Sequence, residues 1–406
     1  MKNPVFSPAD ILLPKNNFEK WSVIACDQFT SRPDYWEECS RIAGDSPSAL
    51  RLIYPEAFLG EKDRSARIDS INGTMREYLD NGIYNEYKNA FIYVERIQSD
   101  GRRRCGLVGK TDLEQYDYSE DSHSAIRATE KTVLERIPPR VEIRKGAPTE
   151  LPHIMMLADD PNKTVIEPIT ALRENGELEK LYDFELMQGG GHLSGWLVPE
   201  KYHGQIVNAI DALGKGREIT LAVGDGNHSL ATAKACHELM PTEINRYALA
   251  EVINLHSDAL EFEPIYRVAE NVDPSSVLSA FKDFLEACGA KLSDDPLAQS
   301  VNFVSKDTNA ELHIQNPPHS LAVGTVQLFL DSFMGKNPDA MIDYIHGEEE
   351  VISIAGKDNS CGFLYGGIEK SELFPAVEKS GTLPRKTFSM GHARDKRYYT
   401  EVRKIK

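Results

Sequence analysis

Residues 216–240, GREITLAVGDGNHSLATAKACHELM, place an apolar run before a glycine-rich turn and an alanine-rich segment. Ile219, Leu221 and Val223 alternate with their neighbours, which is typical of a strand with one buried face. The stretch from Ser229 to Met240 contains no helix breaker, so it predicts a helix. The chain is therefore expected to pass from strand to helix within a few residues, across a turn that contains two glycines.

The start of this predicted helix is a candidate anion site. Asn227 or Asp225 can cap it, and the free N–H groups of a first helical turn attract negative charge such as that of a phosphate. A second interpretation is a turn that needs glycine only for its backbone angles and a polar residue only as a cap. The P-loop pattern is absent, and Ser229 stands where the dinucleotide-binding pattern requires its third glycine.

The charge of the chain restricts its partners. The sequence has 406 residues and a formal net charge of −17, which repels the phosphates of duplex DNA and anionic lipid. Residues 385–406 oppose this trend, with eight Lys or Arg against two Asp or Glu. We therefore expect no duplex nucleic acid and no membrane as partner, and a small phosphorylated molecule as ligand. The oligomeric state stays open.

The cysteine pattern and the hydropathy indicate the cellular setting. The six cysteines lie far apart and form no Cys-x-x-Cys pair, which favours reduced thiols over a zinc site or a disulfide framework. No metal-ligand set is predicted. No apolar run approaches 18 residues, and the first residues do not resemble a leader peptide, so the expected location is the cytoplasm.

The remaining patterns predict an α/β or α+β architecture with a mixed sheet. Residues 91–97 and 103–110 form a predicted hairpin around Ser99-Asp100-Gly101. A helix is predicted from about Ser124 to just before Pro138. Strands and helices alternate without the regular order of a doubly wound sheet.

The chain is long enough for two units of ordinary size. A helix-rich segment and a polar, proline-containing run follow residue 270. We therefore expect an N-terminal α/β core of residues 1–270 that carries the GDGNHS loop. A C-terminal α/β unit of residues 271–406 would carry the PRKTFS motif and pack on the first.

Four motifs resemble elements of the bacterial and archaeal domain-of-unknown-function family 1015. GDGNHSLATA, residues 224–233, resembles the D-G-H-H-R-x-x-A element of that family. LPRKTFSMGHARDKRYYTE, residues 383–401, resembles its C-terminal M-P-x-K-S-T-x-F motif. LRLIYPE, residues 50–56, and IRATEKT, residues 126–132, are similar to its L-R-L-x-x-P and H-E-x-T elements. The matches follow the family order, so the chain is identified as a member.

The family loop is in turn similar to the G-x-H-R loop of the ParB/sulfiredoxin-like fold, whose members bind nucleotides and include free-serine kinases. This resemblance implies a ParB/sulfiredoxin-like core, a nucleotide such as ATP or ADP with Mg²⁺ as cofactor, and serine or phosphoserine as substrate. Here Asn227 replaces the first histidine and Ser229 replaces the arginine. Phosphate binding must therefore rely on backbone N–H groups, His228 and donors from elsewhere.

Phosphoryl chemistry needs cations or N–H donors around the phosphate oxygens and a group that manages the proton of the attacking oxygen. Asp225 is the candidate base or Mg²⁺ ligand, His228 a candidate phosphate donor or proton shuttle, and Glu130 a further catalytic candidate. Asp27 is added because of its place in a loop. The candidate ligand-binding residues are Gly226, Asn227, Ser229, Arg127, Thr129, His192, Arg385, Lys386, Thr387, Ser389 and His392. Each also has a structural interpretation, as a cap, a buried histidine, a turn, a helix surface or a basic terminus.

Three functions remain open at this point. The first is a small-molecule phosphotransferase or phosphatase, the second a non-catalytic nucleotide-responsive binding protein, and the third a hydrolase of unrelated chemistry. The adjacent residues His256, Ser257 and Asp258 do not indicate a catalytic triad, because triad members come from distant segments. We favour the first function. Because a phosphate site in an acidic protein needs positive charge, we expect the motif around Lys386 to fold back near Asp225 and His228.

Overall fold

The computed structural model describes residues 3–391 and 393–406. The described residues form two compact units, one made of Met1–Leu260 with Gly391–Lys406 and the other of Glu261–Met390. The division differs from the expected one in two respects. The boundary follows Leu260 rather than residue 270, and the segment after Met390 belongs to the first unit rather than to the second.

The described residues contain strands of between two and 14 residues. In chain order these are β1 Phe6–Ser7, β2 Ala9–Pro14, β3 Val23–Ile24, β4 Tyr84–Ile97, β5 Arg103–Asp112, β6 Tyr116–Asp117, β7 Ile126–Ala128, β8 Thr149–Glu150, β9 Met155–Ala158, β10 Glu179–Glu185, β11 His192–Val198, β12 Leu221–Asp225, β13 Tyr247–Asn254, β14 Phe262–Glu270, β15 Lys291–Ser293, β16 Gln299–Ser305, β17 Asn309–Gln315, β18 Met341–His346, β19 Ser360–Leu364, β20 Phe388–Met390, β21 Tyr398–Tyr399 and β22 Arg403–Lys404.

Helices separate many of these strands. In chain order they are α1 Phe18–Trp21, α2 Pro33–Ala43, α3 Arg64–Asp80, α4 Ile137–Arg144, α5 Ile166–Glu174, α6 His203–Leu213, α7 Asn227–Leu239, α8 Pro274–Ala287, α9 Ala322–Met334, α10 Glu348–Ala355 and α11 Lys370–Ser380.

The first unit is built on a mixed sheet with the strand order β10, β11, β4, β5, β13, β9, β12, β7, β6, with β1 beside β5 and β2 beside β4. Strands β4 and β5 form the predicted antiparallel hairpin, and Gly101 adopts the positive φ that its turn requires. Strand β12 runs antiparallel to β9 but parallel to β7. The predicted α/β or α+β class with a mixed sheet is therefore confirmed.

Both faces of this sheet are buried, as strand β4 illustrates. Ile92 and Val94 belong to one hydrophobic core, whereas Phe91 and Tyr93 belong to another. Successive side chains of a strand point to opposite faces, so an uninterrupted apolar run such as FIYV fills two cores at once.

The predicted strand and helix of residues 216–240 are present as β12 and α7. The predicted helix from Ser124 to before Pro138 is wrong. Residues Ile126 and Ala128 are fully buried in β7, where strand pairing with β12 decides their conformation. Helix α4 begins at Ile137, with proline in its first turn. Proline is tolerated there because the N–H groups of the first turn have no helical acceptor.

The second unit has its own sheet and its own core. Its strands follow the order β15, β17, β16, β19, β14, β18, with β20 beside β14. Helices α8 and α9 contribute Phe281 and Phe329, whose ring centroids lie 4.9 Å apart, and Phe281 also contacts Phe363 of β19 at 5.4 Å. These aromatic contacts join both helices to the sheet.

The C-terminal segment is built into the first unit by strand pairing and by buried charges. Strand β21 pairs with β3, and β22 pairs with β8. Arg397 is buried, with its Nε 2.8 Å from Glu251 Oε2 and its Nη2 2.8 Å from Glu401 Oε2. Since both glutamates are also buried, the segment cannot leave the first unit without exposing three paired charges. This explains the assignment of residues after Met390 to the first unit.

Replacing Arg397 by Met is expected to lower the free energy of unfolding of the first unit by about 3–5 kcal/mol, because two carboxylates lose their buried partner. Trp21, Trp36 and Trp196 all belong to this unit, so tryptophan fluorescence during urea denaturation reports on it alone. The control is Arg41→Met, which removes an exposed ion pair with Glu38 and should leave the midpoint nearly unchanged. Equal midpoints for the two variants would contradict this account.

Candidate functional site

Helix α7 begins with backbone N–H groups that no other described group satisfies. Its N-cap is Gly226, which has a φ of 82°, and no side chain caps the helix. A Cβ at this glycine would lie 3.0 Å from Ile154 Cα and 3.1 Å from His153 Cδ2, so the tight turn requires glycine. Among the described residues, the N–H groups of Asn227, His228 and Ser229 have no acceptor. The helix start therefore has the form of an anion site.

The side-chain cap expected from Asp225 or Asn227 is not formed at the start of α7. Oδ1 of Asp225 accepts a hydrogen bond from the N–H of Gly226 at 3.1 Å, which is not an N–H of the helix. Oδ1 of Asn227 is buried and has no hydrogen-bond partner among the described residues. A buried acceptor without a partner costs free energy, so this position favours a further donor that the protein itself does not supply.

Asp225 stands at the end of β12 and meets a cation from the C-terminal segment. Its Oδ2 lies 3.4 Å from Nζ of Lys396, and both side chains are largely buried. The low local dielectric strengthens this attraction relative to a pair in water. Lys396 therefore places a cation beside the loop that carries Asp225.

A second carboxylate, that of Asp27, enters from the loop after β3. Burial by itself would raise the pKa of Asp27, but attraction to His153, a hydrogen bond from Gln28 and attraction to Lys396 together lower the pKa below its ordinary value. Asp27 is therefore held as a carboxylate, and Lys396 acts on both Asp27 and Asp225. We call Asp27, His153, Asp225, His228 and Lys396 the Asp225 cluster.

Backbone and side-chain contacts fix the position of His153 in this cluster. Its Nδ1 lies 2.7 Å from the Tyr399 hydroxyl, which accepts a hydrogen bond from the N–H of Cys26 at 3.2 Å. Burial raises the pKa of the Cys26 thiol to about 12, so this cysteine is a neutral thiol and not a nucleophile. The loop that carries Asp27 is thus tied to the same C-terminal segment that carries Lys396.

His228 is a neutral imidazole in a positive environment. Its Nε2 accepts a hydrogen bond from the N–H of Val133 at 3.2 Å. Burial, and then repulsion from Arg140 and Arg136, lower the pKa of His228 to about 4. Arg140 forms an ion pair with Glu56, whereas Arg136 is exposed and has no ion pair among the described residues. These two arginines give the start of α7 a positive surrounding.

Arg127 and Thr129 hold β7 in the sheet. Arg127 is buried, and its guanidinium donates to the Ser124 carbonyl at 3.1 Å and to the Glu218 carboxylate. The Thr129 hydroxyl donates to the carbonyl of Val223 in β12 at 2.7 Å. Glu130 follows β7 and is half-buried. These contacts of Arg127 and Thr129 are therefore structural, and a ligand role for the two residues stays a prediction.

His192 lies at the start of β11, next to two acidic residues of β10. Its Nδ1 lies 2.8 Å from Glu185, and its Nε2 contacts Asp183. Burial alone would lower the pKa of His192, but the hydrogen bonds to the two carboxylates raise it. The preceding glycines approach protein rather than a ligand, since a Cβ at Gly191 would lie 2.0 Å from the Ile97 carbonyl oxygen.

The described candidates near the end of the chain lie in the second unit. Arg385, Lys386, Thr387 and Ser389 belong to the second unit, and His392 lies outside the described residues. The expectation that the motif around Lys386 meets Asp225 and His228 stays a prediction. Within the first unit, the cation that does meet Asp225 is Lys396.

The site residues predicted from the sequence do not include Lys396, His153, Tyr399, Arg136 or Arg140. Lys396 and Tyr399 lie inside the quoted C-terminal motif, so the motif and its basic charge were the available signal. The other three carry no local pattern that separates them from structural residues.

Two negative findings concern the described residues. None of their helices has the length and apolar character that a bilayer-spanning segment needs. They also contain no group of three or more His, Cys, Asp or Glu side chains arranged to hold a metal ion.

We expect the His228 imidazole to titrate near pH 4, and Arg136→Met to raise this pKa, because a repelling positive charge is removed. The unfolded chain binds this proton below about pH 6.5, whereas the folded chain does so only near pH 4. The contribution of His228 therefore makes the free energy of unfolding fall as the pH decreases through this window. NMR titration of the imidazole measures the pKa. Arg32→Met, at an exposed site, is the control, and an unchanged pKa in Arg136→Met would refute the assignment.

Comparisons with solved structures give distant likenesses. A free serine kinase in complex with AMP has a TM-score of 0.40 and 13% identity, over 73% of this chain and 90% of that one. A truncated SbnI from Staphylococcus aureus has a TM-score of 0.38 and 10% identity, over 70% and 82%. A conserved hypothetical protein from Pyrococcus furiosus has a TM-score of 0.37 and 11% identity, over 70% and 89%. No curated protein matches the chain.

A family model, in contrast, matches most of the sequence. It is described as "Protein of unknown function (DUF1015)" and covers residues 7–333, which include the loop at Asp225, Asp27 and the motifs at residues 50–56 and 126–132. The C-terminal motif lies beyond the matched range, so its resemblance stays a prediction. Because the match extends over more than half of the chain, this protein belongs to the family of unknown function DUF1015.

Proposed function

We propose that the first unit is an enzyme that transfers or hydrolyses a phosphoryl group on a small molecule, with the Asp225 cluster as its active site. The observation that carries this proposal is the start of α7, where three N–H groups without acceptors lie beside the Asp225–Lys396 pair. N–H donors, a cation and a carboxylate are the groups that phosphoryl transfer uses.

The proposed phosphate position is the helix start. The N–H groups of Asn227, His228 and Ser229 would donate to the phosphate oxygens, and the helix dipole would add attraction. His228 would add a further donor. Because its Nε2 accepts from Val133, the proton of the neutral imidazole is on Nδ1, which is free to donate without a change of charge.

Arg136 is the proposed replacement for the arginine that the loop lacks. It is exposed, and after burial and Arg140 its charge is a further cause of the lowered pKa of His228. An exposed guanidinium can turn toward a bound phosphate and donate two hydrogen bonds. Arg140 is held by Glu56, so its proposed contribution is long-range attraction only.

The two carboxylates are proposed to manage the proton of the attacking hydroxyl or water. Asp27 is kept ionised by its surroundings, and Asp225 is paired with Lys396. Lys396 would neutralise charge on the phosphate. One of the two carboxylates, Asp27 or Asp225, would then be available as the general base. The same carboxylates are the oxygen ligands that Mg²⁺ prefers, so a nucleotide with Mg²⁺ is compatible with this donor set.

The substrate is proposed from sequence resemblance alone. The loop at residues 224–229 is similar to that of a fold class that includes free-serine kinases, so serine with ATP and phosphoserine with water are the first reactions to test. A location in the cytoplasm and a ParB/sulfiredoxin-like core are part of the same proposal.

Asp225→Asn and Lys396→Met are each expected to lower kcat by about 10²–10⁴-fold, since each removes a group that acts on the moving proton or the phosphate charge. Phosphorus NMR follows ATP with serine, and phosphoserine alone, with and without Mg²⁺. Lys404→Met is the matched control, because Lys404 lies in the same C-terminal segment as Lys396 and its Nζ pairs with Glu86 of β4 instead of Asp225. Tryptophan fluorescence checks that each variant folds.

A thermal-shift series with ATP, ADP, phosphate and phosphoserine accompanies this assay. A ligand at 100 times its dissociation constant stabilises the folded state by about 2.7 kcal/mol, which shifts the melting temperature visibly. A wild-type protein that neither turns over these compounds nor is stabilised by any of them would contradict the proposal. Stabilisation by a nucleotide without turnover would instead favour a nucleotide-responsive binding protein.

A further inference from the structure

The second unit gathers three positively charged side chains around one aromatic ring. The ring is that of Tyr344 in β18, and the Cζ atoms of Arg267 and Arg385 lie 4.6 and 5.3 Å from its centroid. The Nζ of Lys386 lies 5.1 Å from the same point. Arg385 Nε also donates to the Tyr344 hydroxyl at 3.0 Å. We call these four residues the Tyr344 cluster.

A buried arginine holds the turn that presents two of these charges. Arg267 is fully buried, and it donates to the carbonyl oxygens of Arg385 at 3.0 Å and Lys386 at 2.9 Å. The Thr387 hydroxyl closes the turn by donating to the Pro384 carbonyl at 2.6 Å. With their carbonyls fixed toward the interior, Arg385 and Lys386 keep exposed side chains. The turn is therefore fixed before any ligand arrives.

Two features of this turn are unfavourable for the folded protein alone. Lys386 has a φ of 54°, in the left-handed region that favours glycine over residues with a Cβ. The three cations also repel one another, and the electron-rich face of Tyr344 offsets only part of that repulsion. The carboxylate of the preceding residue, Asp343, accepts a hydrogen bond from the backbone N–H of Tyr344 at 2.7 Å. Strain and like charges that are held in place by surrounding contacts are typical of a binding site.

We propose that Arg385 and Lys386, supported by Arg267 and Tyr344, bind a phosphate or pyrophosphate group on the second unit. The guanidinium can form two parallel hydrogen bonds to such an anion, and the ammonium adds a point charge. Both of these proposed contacts are made to the anion itself. The ligand is therefore recognised through its anionic group.

This proposal does not depend on the function proposed for the first unit. All four residues of the Tyr344 cluster belong to Glu261–Met390. The binding experiment is done with the full chain carrying Lys396→Met and Arg136→Met, which removes both side-chain cations proposed to contact phosphate on the first unit. Loss of activity in the first unit and loss of anion binding in the second are then separate results.

The probe is pyrophosphate, titrated by calorimetry at low and at moderate ionic strength. We expect saturable binding that weakens with salt, and at least a tenfold loss of affinity in Arg385→Met and in Lys386→Met. Lys336→Met is the matched control, since it removes an exposed lysine of the same unit that is not part of the Tyr344 cluster, and this variant should bind as before. Hydrogen exchange should show protection of residues 341–346 and 383–390 on binding.

Lys386→Gly separates binding from stability. Glycine adopts the left-handed backbone without strain, so the thermal midpoint should stay the same or rise, while the affinity falls as in Lys386→Met. Three results would overturn the proposal. These are wild-type affinity in Lys386→Met, an equal loss in Lys336→Met, and no protection in the two segments.

Discussion

The buried charges of Arg397, Glu251 and Glu401 are the constraint on which the first unit depends. Three ionised side chains inside a protein are stable only as a set, because each would carry a large desolvation cost without its partners. Tyr182 adds a hydrogen bond to Glu401 at 2.6 Å, so the set also reaches strand β10. These contacts join the last residues of the chain to the centre of a sheet formed mainly by its first 260 residues.

The candidate active site follows from the same constraint. Lys396 immediately precedes Arg397, and Tyr399 follows shortly after it, so fixing the arginine also fixes a cation and a hydroxyl beside Asp225 and His153. The loop of Asp27 is held by the same segment, since Ala25 N–H donates to the Arg397 carbonyl at 3.0 Å. A buried structural ion pair thereby positions groups whose own chemistry is proposed to be catalytic.

Electrostatics organises both proposed sites in a chain of net charge −17. In each unit a few cations are brought together by contacts that the sequence does not display locally. Around α7, burial and then two arginines lower the pKa of His228, so the imidazole is neutral while the helix start remains attractive to anions. Around Tyr344, an aromatic ring and a buried guanidinium hold two exposed cations side by side.

The sequence by itself determined the features that depend on neighbouring residues. The strand, turn and helix at residues 216–240, the hairpin at Gly101, the mixed architecture and the family could all be read from local patterns. Tertiary structure decided what depends on distant partners. Ile126 to Ala128 form a strand because β6 and β12 lie beside them, and Lys396 meets Asp225 because Arg397 is buried against Glu251. Burial and long-range charge pairing overrule local preference, and neither has a signature in a short window of sequence.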